Sequence, residues 1–572
     1  MRQIHVNQKS NCSICDGSID KPFTSIPEAI EHLTKGTEVI IHEGVYGPFV
    51  VDNSASGTKE EPVIIRSADN ESVIIQGVFD EDAITIYLVN VENITIQGLE
   101  VIGGGLGIYC VSTPDIGDKE LENIFIIDCT VHQIRGMHGI AVYAKNDLAP
   151  IRNLIMKNCE VYDCRLDSSE STVFNGNIDG FTICNNKIHD NNNIGIDMIG
   201  FEGKAKHDES YNGNLYDVDY VRNGKCFDNF VYNISAFDNE AYYENPLASI
   251  KDTQGEYNLC ANGIYVDGGQ NIEIYNNFIY NCDIGIEVST EHSPDDNEIF
   301  KVQGMDVHDN VVCGCVGYSG LAIGGYAKNL GFTENCNFYN NSFIDNNIGM
   351  IVQRCKNNNI RNNIIIGGQY GIEFNHEVLI EDQVNNYDNN VFCTNKSINA
   401  YFDLEGKDLD YLMGNNLKKQ IFTNDRSKII NGFVSVNSEN GSKYLPDEEL
   451  IDSYEKYVNI GLQGITKAEE LIMKNFKEIN LDTVLKNDNN ICSYINRVLV
   501  DNQLERATIE VIKIKGTNGL ISNVRNESNG YINKEVINEI NNDVFVDFHL
   551  RYEYDDNSYA HKWIRDIKII YR

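Results

Sequence analysis

The segments Gly263-Ile264-Tyr265-Val266-Asp267 and Gly285-Ile286-Glu287-Val288-Ser289 share one pattern, a glycine followed by alternating side chains. In both segments the first and third residues after the glycine are apolar. Because strand side chains alternate with a period of two, these apolar residues face one side and the second and fourth residues face the other. The pattern recurs in phase at seven places, which are residues 139–143, 195–199, 263–267, 285–289, 320–324, 349–353 and 371–375.

A second repeated feature is a turn residue that follows an apolar alternating strand. Most gaps between successive copies are 22 to 33 residues, and the two larger gaps of 43 and 48 indicate coils that carry inserted loops. Asparagine tolerates left-handed backbone geometry, and stacked amides hydrogen-bond from coil to coil, so we predict an asparagine ladder. The copies are Cys129, Cys159, Asn186, Asn229, Asn277, Asn310, Asn341 and Asn363.

The two repeats predict an all-β fold, a right-handed parallel β-helix in which each coil contacts only its neighbours. We expect residues 1–45 to form an N-terminal cap and the first strands, with a capping helix over 26–34. The β-helix is predicted over 46–395, with a long loop insertion at about 202–260. Beyond it, helical patterns in 446–485 and alternation in 505–572 predict a small C-terminal appendage over 396–572, either α+β or a β-sandwich.

Composition limits the partners and the location. The formal net charge of −39 argues against nucleic acid, because such a ligand requires a basic surface. No window approaches the ~18 consecutive apolar residues of a membrane helix, so we expect no membrane insertion. The start of the sequence has no apolar signal region. We therefore expect a cytoplasmic protein or one released without a signal, and an extracellular location only if a leader has been removed.

The 16 cysteines favour small buried thiols over a disulfide framework, because the chain is large and many cysteines recur at one place in the repeat. Cys12-x-x-Cys15 has the spacing of a metal half-site, but no second CxxC pair accompanies it.

Carboxylates gather on the outward side of the glycine strands. Asp197 and Glu287 occupy one outward column, and Asp267 occupies the next. Adjacent coils are ~4.8 Å apart and a two-residue step is ~6.6 Å, so Asp267 and Glu287 should lie about 8 Å apart at their backbones. Two carboxyl groups at that range can divide acid, base and nucleophile roles across a glycosidic bond. We predict all three as catalytic residues.

Other polar and aromatic side chains on the same face are predicted to bind substrate. Tyr265 and Tyr326 have rings suited to stacking on sugars. Glu373 is interpreted as plain surface, and no metal ligand is assigned. The predicted substrate-binding residues are Tyr265, His292, Tyr326, Glu170, Asn175 and Gln353.

Residues of about 15–395 resemble carbohydrate-active β-helix proteins of the pectate-lyase-like superfamily. The stretches 262–269 and 283–292 are similar to the Asp and Glu strands of the β-helical β-xylosidase family of glycoside hydrolases. This resemblance implies that Asp267 is the nucleophile and Glu287 the acid/base. That family has an aromatic residue after the aspartate, where this chain has Gly268-Gly269.

Three functions remain open from the sequence. The first is a glycoside hydrolase that needs no cofactor. The second is a polysaccharide lyase, in which the acidic cluster holds Ca²⁺ and Arg222 or Lys225 serves as the base. The third is a non-catalytic glycan-binding or spike-like protein. For the segment 202–260 we predict a wall or lid beside the groove.

Overall fold

The chain was examined as a computed structural model. It describes residues 1–393 except 79, 237–238, 240–259, 293–299, 316, 367–369, 376–377 and 379–383, and then 421–423, 478–480, 499, 507–516, 521–525, 544–553 and 559–570.

Three long parallel sheets wind into a β-helix, as predicted. One coil runs through Leu121–Ile127, Thr130–His132 and His138–Ala144 before the chain returns to the first sheet at Ile151–Lys157. We expect the right-handed coil that parallel strands joined by crossovers adopt in nearly all proteins. The three sheets are called the base sheet, the back sheet and the site sheet.

The base sheet has 13 strands and the back sheet has 13. The base sheet contains Arg2–Val6, Thr37–Ile41, Val63–Ser67, Ile94–Gln97, Leu121–Ile127, Ile151–Lys157, Asp179–Cys184, Arg222–Phe227, Gln270–Tyr275, Asp306–His308, Asn337–Tyr339, Asn359–Arg361 and Asn386–Asp388. The back sheet contains Gly44–Tyr46, Val73–Gln76, Glu100–Ile102, Thr130–His132, Glu160–Tyr162, Lys187–Asn191, Phe230–Ile234, Phe278–Tyr280, Val311–Cys313, Ser342–Ile344, Ile364–Ile366, Val391–Cys393 and Ile421–Thr423.

The site sheet has 11 strands and carries all seven glycine segments. Smaller sheets join Arg135–Gly136 to Arg165–Leu166, and Lys301–Gln303 to Phe332–Glu334 and Cys355–Lys356. The strands of the site sheet are Phe49–Val51, Ile84–Val89, Leu106–Ser112, His138–Ala144, Thr172–Gly176, Ile196–Ile199, Asn262–Asp267, Ile284–Ser289, Ser319–Ile323, Ile348–Val352 and Tyr370–Phe374.

The helices are short. The α-helix spans Ile26–Ile30, which is shorter than the predicted 26–34, and it buries Ile26 and Ala29. Ser25 accepts a hydrogen bond from the backbone N–H of Glu28, and Pro27 lies in the first turn, so the start of the helix is well specified. Two 3₁₀ turns span Asn53–Ala55 and Pro114–Ile116.

The asparagine ladder is confirmed. Asn277 donates to Asn310 Oδ1 at 3.0 Å and accepts from Asn229 Nδ2 at 3.0 Å, and the side chains of the ladder are buried. The left-handed geometry, however, belongs to the residue before each rung, such as Asp228 (φ 53°) and Asn276 (φ 53°). The rung turns its amide inward, whereas the preceding residue bends the chain.

The structure changes three predicted boundaries. Arg2–Val6 already pairs with Thr37–Ile41 in the base sheet, so the β-helix begins before residue 46. The segment 202–260 is not one insertion, because Arg222–Phe227 and Phe230–Ile234 are strands of the base and back sheets. The chain divides into two compact units, one of residues 1–245 and 258–445 and the other of residues 246–257 and 446–572, and Ile421–Thr423 still pairs with Val391–Cys393.

The second unit contains a five-stranded sheet formed by Glu478–Asn480, Ala507–Gly516, Ile521–Arg525, Val544–Glu553 and Tyr559–Ile570. Its three longest strands pair antiparallel, in agreement with the predicted alternation over 505–572. Most of the helical patterns predicted over 446–485 lie outside the described residues.

Cysteine chemistry differs from the prediction at one place. Cys12 and Cys15 form a disulfide, so this pair is not a metal half-site in this structure. Of the twelve free cysteines in the described part, all are buried except Cys260, which is partly buried. No helix among the described residues is long and apolar enough to cross a membrane.

Candidate functional site

The register of the site sheet confirms the predicted columns. Asp197 pairs with Tyr265, and Tyr265 pairs with Glu287. Asp267 pairs with Ser289, two residues further along the same strands. Asp267 and Glu287 are therefore one coil apart and two residues offset, which corresponds to about 8 Å between their backbones.

The carboxyl groups of the outward columns are buried. The interior partners on the same strands, such as Ile264 and Ile286, belong to the core and are 0% exposed. Yet Asp197 is 1%, Asp267 5% and Glu287 5% exposed on the opposite side. Three acidic side chains are thus buried on the outward face of the site sheet, where burial of charge is costly.

Gly268 explains how the strand ends directly after Asp267. It has φ +94°, and a Cβ at this position would lie 2.6 Å from the Gly200 carbonyl oxygen. Gly200 N–H in turn donates to the Asp267 carbonyl oxygen at 2.7 Å. A side chain does not fit this close approach, which accounts for the glycine where the resembling family has an aromatic residue.

Asp267 has two hydrogen-bonding neighbours at the end of its strand. Its Oδ2 lies 3.0 Å from His292 Nε2, and its Oδ1 accepts the backbone N–H of Glu291 at 2.8 Å. Burial disfavours the imidazolium, but the hydrogen bond and charge of Asp267 outweigh it and raise the pKa of His292 to about 9. His292 is therefore the cationic partner of Asp267 at neutral pH.

Glu287 and Asp197 are in the opposite situation. Burial, followed by the charges of Glu291 and Asp267, raises the pKa of Glu287 to about 8. Burial and the charge of Glu170 raise the pKa of Asp197 well above its usual range. Both groups hold a proton under conditions in which an ordinary carboxyl group is ionised.

Glu170 belongs to the same cluster, as predicted for that face. Burial, and then the charges of Glu202 and Asp267, raise its pKa to about 8. His138 Nδ1 lies 3.1 Å from the Glu170 carbonyl oxygen, and His138 Nε2 lies 2.9 Å from the Tyr143 hydroxyl. Burial lowers the pKa of His138 to about 4, so this imidazole is neutral. Since a carbonyl oxygen only accepts, Nδ1 carries the hydrogen and Nε2 accepts from Tyr143.

Asn175 lies on the strand between His138–Ala144 and Ile196–Ile199, and it pairs with Tyr143 and Ile199. Its Nδ2 donates to Glu202 Oε2 at 2.5 Å, while its Oδ1 is buried without a hydrogen-bond partner. Glu202 is also ion-paired with Lys204 at 3.3 Å. The segment that follows Ile196–Ile199 thus contacts Asn175, on the outward face of the site sheet, through Glu202.

The two predicted stacking platforms have different outcomes. Tyr326 is 51% exposed, and burial followed by the charges of Glu291 and Glu287 raises its pKa. Its ring is therefore near the acidic cluster and accessible. Tyr265 is 2% exposed, so its ring does not offer a free face, and the prediction of a stacking platform there is wrong. Asp197 and Glu287 flank it on the adjacent coils.

Two further assignments lie away from the acidic cluster. Gln353 follows Ile348–Val352, on the second coil beyond Ser289, and accepts from Asn375 Nδ2 at 3.4 Å. Glu373 pairs with Ile351 in the column of Glu287, three coils from it. The register does not bring either residue to Asp267.

Arg222 and Lys225 do not lie in an insertion beside the acidic cluster. They are in the base-sheet strand Arg222–Phe227, where Lys225 pairs with Glu273 at 2.8 Å. Arg222 Nη2 donates to Asn177 at 3.0 Å, and its Nε lies 3.7 Å from Asp179. The prediction that they supply the base of a lyase is therefore wrong, because they lie on the base sheet and the acidic cluster lies on the site sheet.

Sequence reasoning missed Glu291, Glu202 and His138. Glu291 lies just after the strand Ile284–Ser289, and burial and the charge of Asp267 raise its pKa to about 7. Its position next to His292 was a usable signal. Glu202 and His138 carried no such signal, because their proximity arises from the coil path. In the described part of the chain, no group of three or more His, Cys, Asp or Glu side chains has the geometry of a metal site.

Similar solved structures include pectate lyase Pel9A, with 13% identity and TM-score 0.39 over 62% of this chain and 78% of that one. A GH136 lacto-N-biosidase from Eubacterium ramulus has 14% identity and TM-score 0.44 over 68% and 67% of the two chains. A structure described as a glycoside hydrolase has 11% identity and TM-score 0.45 over 72% and 100%.

No family model matches the chain. Among curated proteins, a stretch of 107 residues is 29% identical to pectate lyase PEL9 of Emericella nidulans, over 16% of this chain and 26% of that protein. The uncharacterized protein YwoF of Bacillus subtilis is 33% identical over 401 residues, which cover 66% of this chain and 77% of YwoF. The chain therefore belongs to the same protein family as YwoF.

Proposed function

We propose that the protein is a glycoside hydrolase that cleaves oligo- or polysaccharides with Asp267 and Glu287. The observation that carries this proposal is the contrast between two neighbouring carboxyl groups. Asp267 is paired with a cation at 3.0 Å, whereas burial raises the pKa of Glu287 to about 8. Carboxyl pairs whose surroundings separate their protonation in this way carry out acid and base chemistry at one pH.

The roles follow from the two environments. Asp267 attacks the anomeric carbon as nucleophile, or as base takes a proton from the water that attacks this carbon. Protonated Glu287 donates its proton to the oxygen of the departing sugar. The imidazolium of His292 keeps the negative charge on Asp267 until the bond forms. Asp197 stays a predicted catalytic residue, and its buried Oδ1 without a hydrogen-bond partner is available to a sugar hydroxyl.

The test is a panel of oligosaccharides and uronate polymers incubated with and without chelator. Hydrolysis produces new reducing ends without unsaturated sugars, and we expect it to be insensitive to chelator. For a cleaved substrate, Glu287→Gln should lower kcat by about 10² or more, because general acid catalysis contributes 10²–10⁴. Asp267→Asn should abolish turnover.

The matched control is Glu373→Gln, which removes a carboxyl group from the same column three coils away. We expect its rate to equal that of the wild type. Wild-type rates in both Asp267→Asn and Glu287→Gln would refute the assignment. Binding across the panel without turnover would instead favour the non-catalytic glycan-binding or spike-like alternative.

The second candidate is a polysaccharide lyase. The observation in its favour is the 107-residue similarity to a pectate lyase. Against it, His292 and Lys204, two cations in contact with acids of the cluster, are already paired with carboxylates. Unsaturated uronate products that disappear with chelator would establish the lyase and a Ca²⁺ requirement.

A further inference from the structure

Two buried oxygen acceptors on the outward face of the site sheet have no hydrogen-bond partner. They are Oδ1 of Asp197, in a side chain 1% exposed, and Oδ1 of Asn175, in a side chain 0% exposed. Asp197 pairs with Val173, two residues before Asn175 on the adjacent strand. The two side chains are therefore one coil apart and share the outward face. Buried acceptors left without a donor are unfavourable, so this position suits a ligand that brings hydrogen-bond donors.

The charges around these acceptors indicate which ligand is excluded. The charges of Glu202 and Asp267 help to raise the pKa of Glu170, and those of Glu170 and Asp267 help to raise the pKa of Asp197. Further negative charge at this position is therefore unfavourable. His292 is paired with Asp267, and Lys204 with Glu202. A carboxylate brought to Asp197 would be desolvated among buried acids, without His292 or Lys204 as an unpaired partner.

From these contacts, and on the basis of the hydrolase proposed above, we infer that the sugar unit held against Asp197 and Asn175 presents hydroxyl, acetamido or amino hydrogens and carries no carboxylate. The substrate class is thus a neutral or amino-sugar glycan rather than a polyuronate. Hydroxyl or acetamido groups satisfy the two acceptors directly. An ammonium group would in addition displace protons from the carboxyl groups that burial keeps protonated.

Two described cations could oppose this inference. Arg354 is buried, and its Nε has no hydrogen-bond partner. Lys145 Nζ lies 5.5 Å from the ring centroid of Tyr143 and 5.8 Å from that of Tyr109, on the adjacent N-terminal coils. The experiment therefore includes Lys145→Met and Arg354→Met.

The experiment measures binding by calorimetry to full-length Glu287→Gln protein, in which the proposed general acid is removed. The probes are oligogalacturonates, the same oligomers with methyl-esterified carboxyl groups, chitooligosaccharides, chitosan oligosaccharides and neutral hexose and pentose oligomers. We expect at least one carboxylate-free glycan to bind more tightly than any uronate. We also expect the methyl-esterified oligogalacturonates to bind more tightly than the free acids. Titrations in buffers of different ionisation enthalpy distinguish an amino sugar from a neutral sugar, because only the amino sugar should release protons from the buried carboxyl groups.

Two substitutions in this background test the site itself. Asp197→Ala removes an acceptor and should weaken the bound neutral or amino sugar at least tenfold. Asp197→Asn keeps an acceptor oxygen with little change in shape, so it should bind that sugar with close to the affinity of the parent Glu287→Gln protein. Glu373→Gln is the matched control and should leave the affinity and the preference for ester over acid unchanged. Thermal melting checks that each variant is folded, and Asn175→Ala provides a second acceptor deletion if Asp197→Ala is not.

Several outcomes overturn the inference. They are tighter binding of free oligogalacturonate than of its ester, uronate binding that Lys145→Met or Arg354→Met abolishes, failure of every carboxylate-free probe to bind, and unchanged affinity in the acceptor deletions. Failure of the hydrolase proposal looks different. In that case the wild type cleaves none of the probes, although the Glu287→Gln protein still binds a carboxylate-free glycan through Asp197.

Discussion

At the scale of single residues, the site shows how surroundings assign different roles to one functional group. Asp267 and Glu287 are both carboxylic acids with similar exposure, 5% each. Asp267 has an ion-pair partner and a backbone N–H, whereas Glu287 is buried near Glu291 and Asp267. Burial and these two charges raise the pKa of Glu287 to about 8, so this group is protonated at neutral pH.

The first prediction concerns the pH dependence of turnover. The proposed acid, Glu287, has its pKa raised to about 8, so its catalytically useful protonated form is present below this value. We expect kcat/KM on a cleaved substrate to fall as the pH rises through about 8. The measurement is a pH–rate profile of the wild type and of Glu287→Gln. The alkaline limb should be absent from the residual activity of the variant, and a wild-type profile that stays flat to pH 9 contradicts the assignment.

The second prediction concerns stability and Glu170. Its pKa is raised to about 8 from the ordinary 4.5, so the folded state binds the proton more tightly than the unfolded state. This contribution to stability is fully present below about pH 4.5 and is lost as the pH rises through about 8. Glu170→Gln should therefore raise Tm by about 2 °C or more at pH 8.5 and have little effect at pH 4.5. Equal changes in Tm at the two pH values would show that Glu170 is not desolvated.

At the scale of elements, the coil is defined by the turn between the base and back sheets. Each rung of the asparagine ladder bonds to the next coil, and the residue before it adopts left-handed geometry. Asparagine and aspartate adopt that geometry more readily than other non-glycine residues. The same turn therefore uses the small amide twice, once for its backbone freedom and once for its hydrogen bonds.

The third prediction tests one rung. Asn277 accepts from the backbone N–H of Asn229 at 3.0 Å and donates to the Cys226 carbonyl oxygen at 2.9 Å. Asn277→Ala removes these bonds and leaves buried polar groups unpaired, at a cost of about 1–3 kcal/mol for each group. We expect a loss of about 3 kcal/mol or more in the free energy of unfolding, measured by denaturant titration.

The control for the ladder is Asn53→Ala. Asn53 is exposed in the turn Asn53–Ala55, and its carbonyl bond to the Ser56 N–H survives the substitution. Its effect should stay within about 0.5 kcal/mol, as for ordinary surface positions. Similar losses for the two variants would mean that the ladder contributes little.

At the scale of the whole molecule, the proposed catalytic residues lie within the first compact unit, which consists of residues 1–245 and 258–445. A solenoid is stabilised by contacts between neighbouring coils, so its stability does not require a distant domain. The second unit has its own antiparallel sheet.

The fourth prediction follows from this division. A protein ending at Leu445 should fold with the far-ultraviolet signature of β structure and should cleave the substrate of the full chain with unchanged kcat/KM. The comparison is made at equal concentrations of the two proteins, with Glu287→Gln in the truncated background as the negative control. Loss of activity from a folded truncated protein would show that residues 446–572 contribute to the site.

The sequence alone determined the β-helix, the outward columns and the asparagine ladder. These features are periodic. Side chains alternate with a period of two along each strand, and equivalent positions recur once per coil, so the sequence determines which side chains share a face. For the same reason the sequence by itself places Asp197, Asp267 and Glu287 on one face.

Only the tertiary structure decided which groups surround those carboxyls. Glu291, Glu202 and His138 come from loops and coil positions outside the aligned columns, and the loop path between strands has no period to read. Tyr265 lost its predicted stacking role, and Arg222 and Lys225 moved to another sheet, because burial and loop length depend on what packs above a strand. The protonation of the site follows from that packing, since desolvation and neighbouring charge act through space and not along the chain.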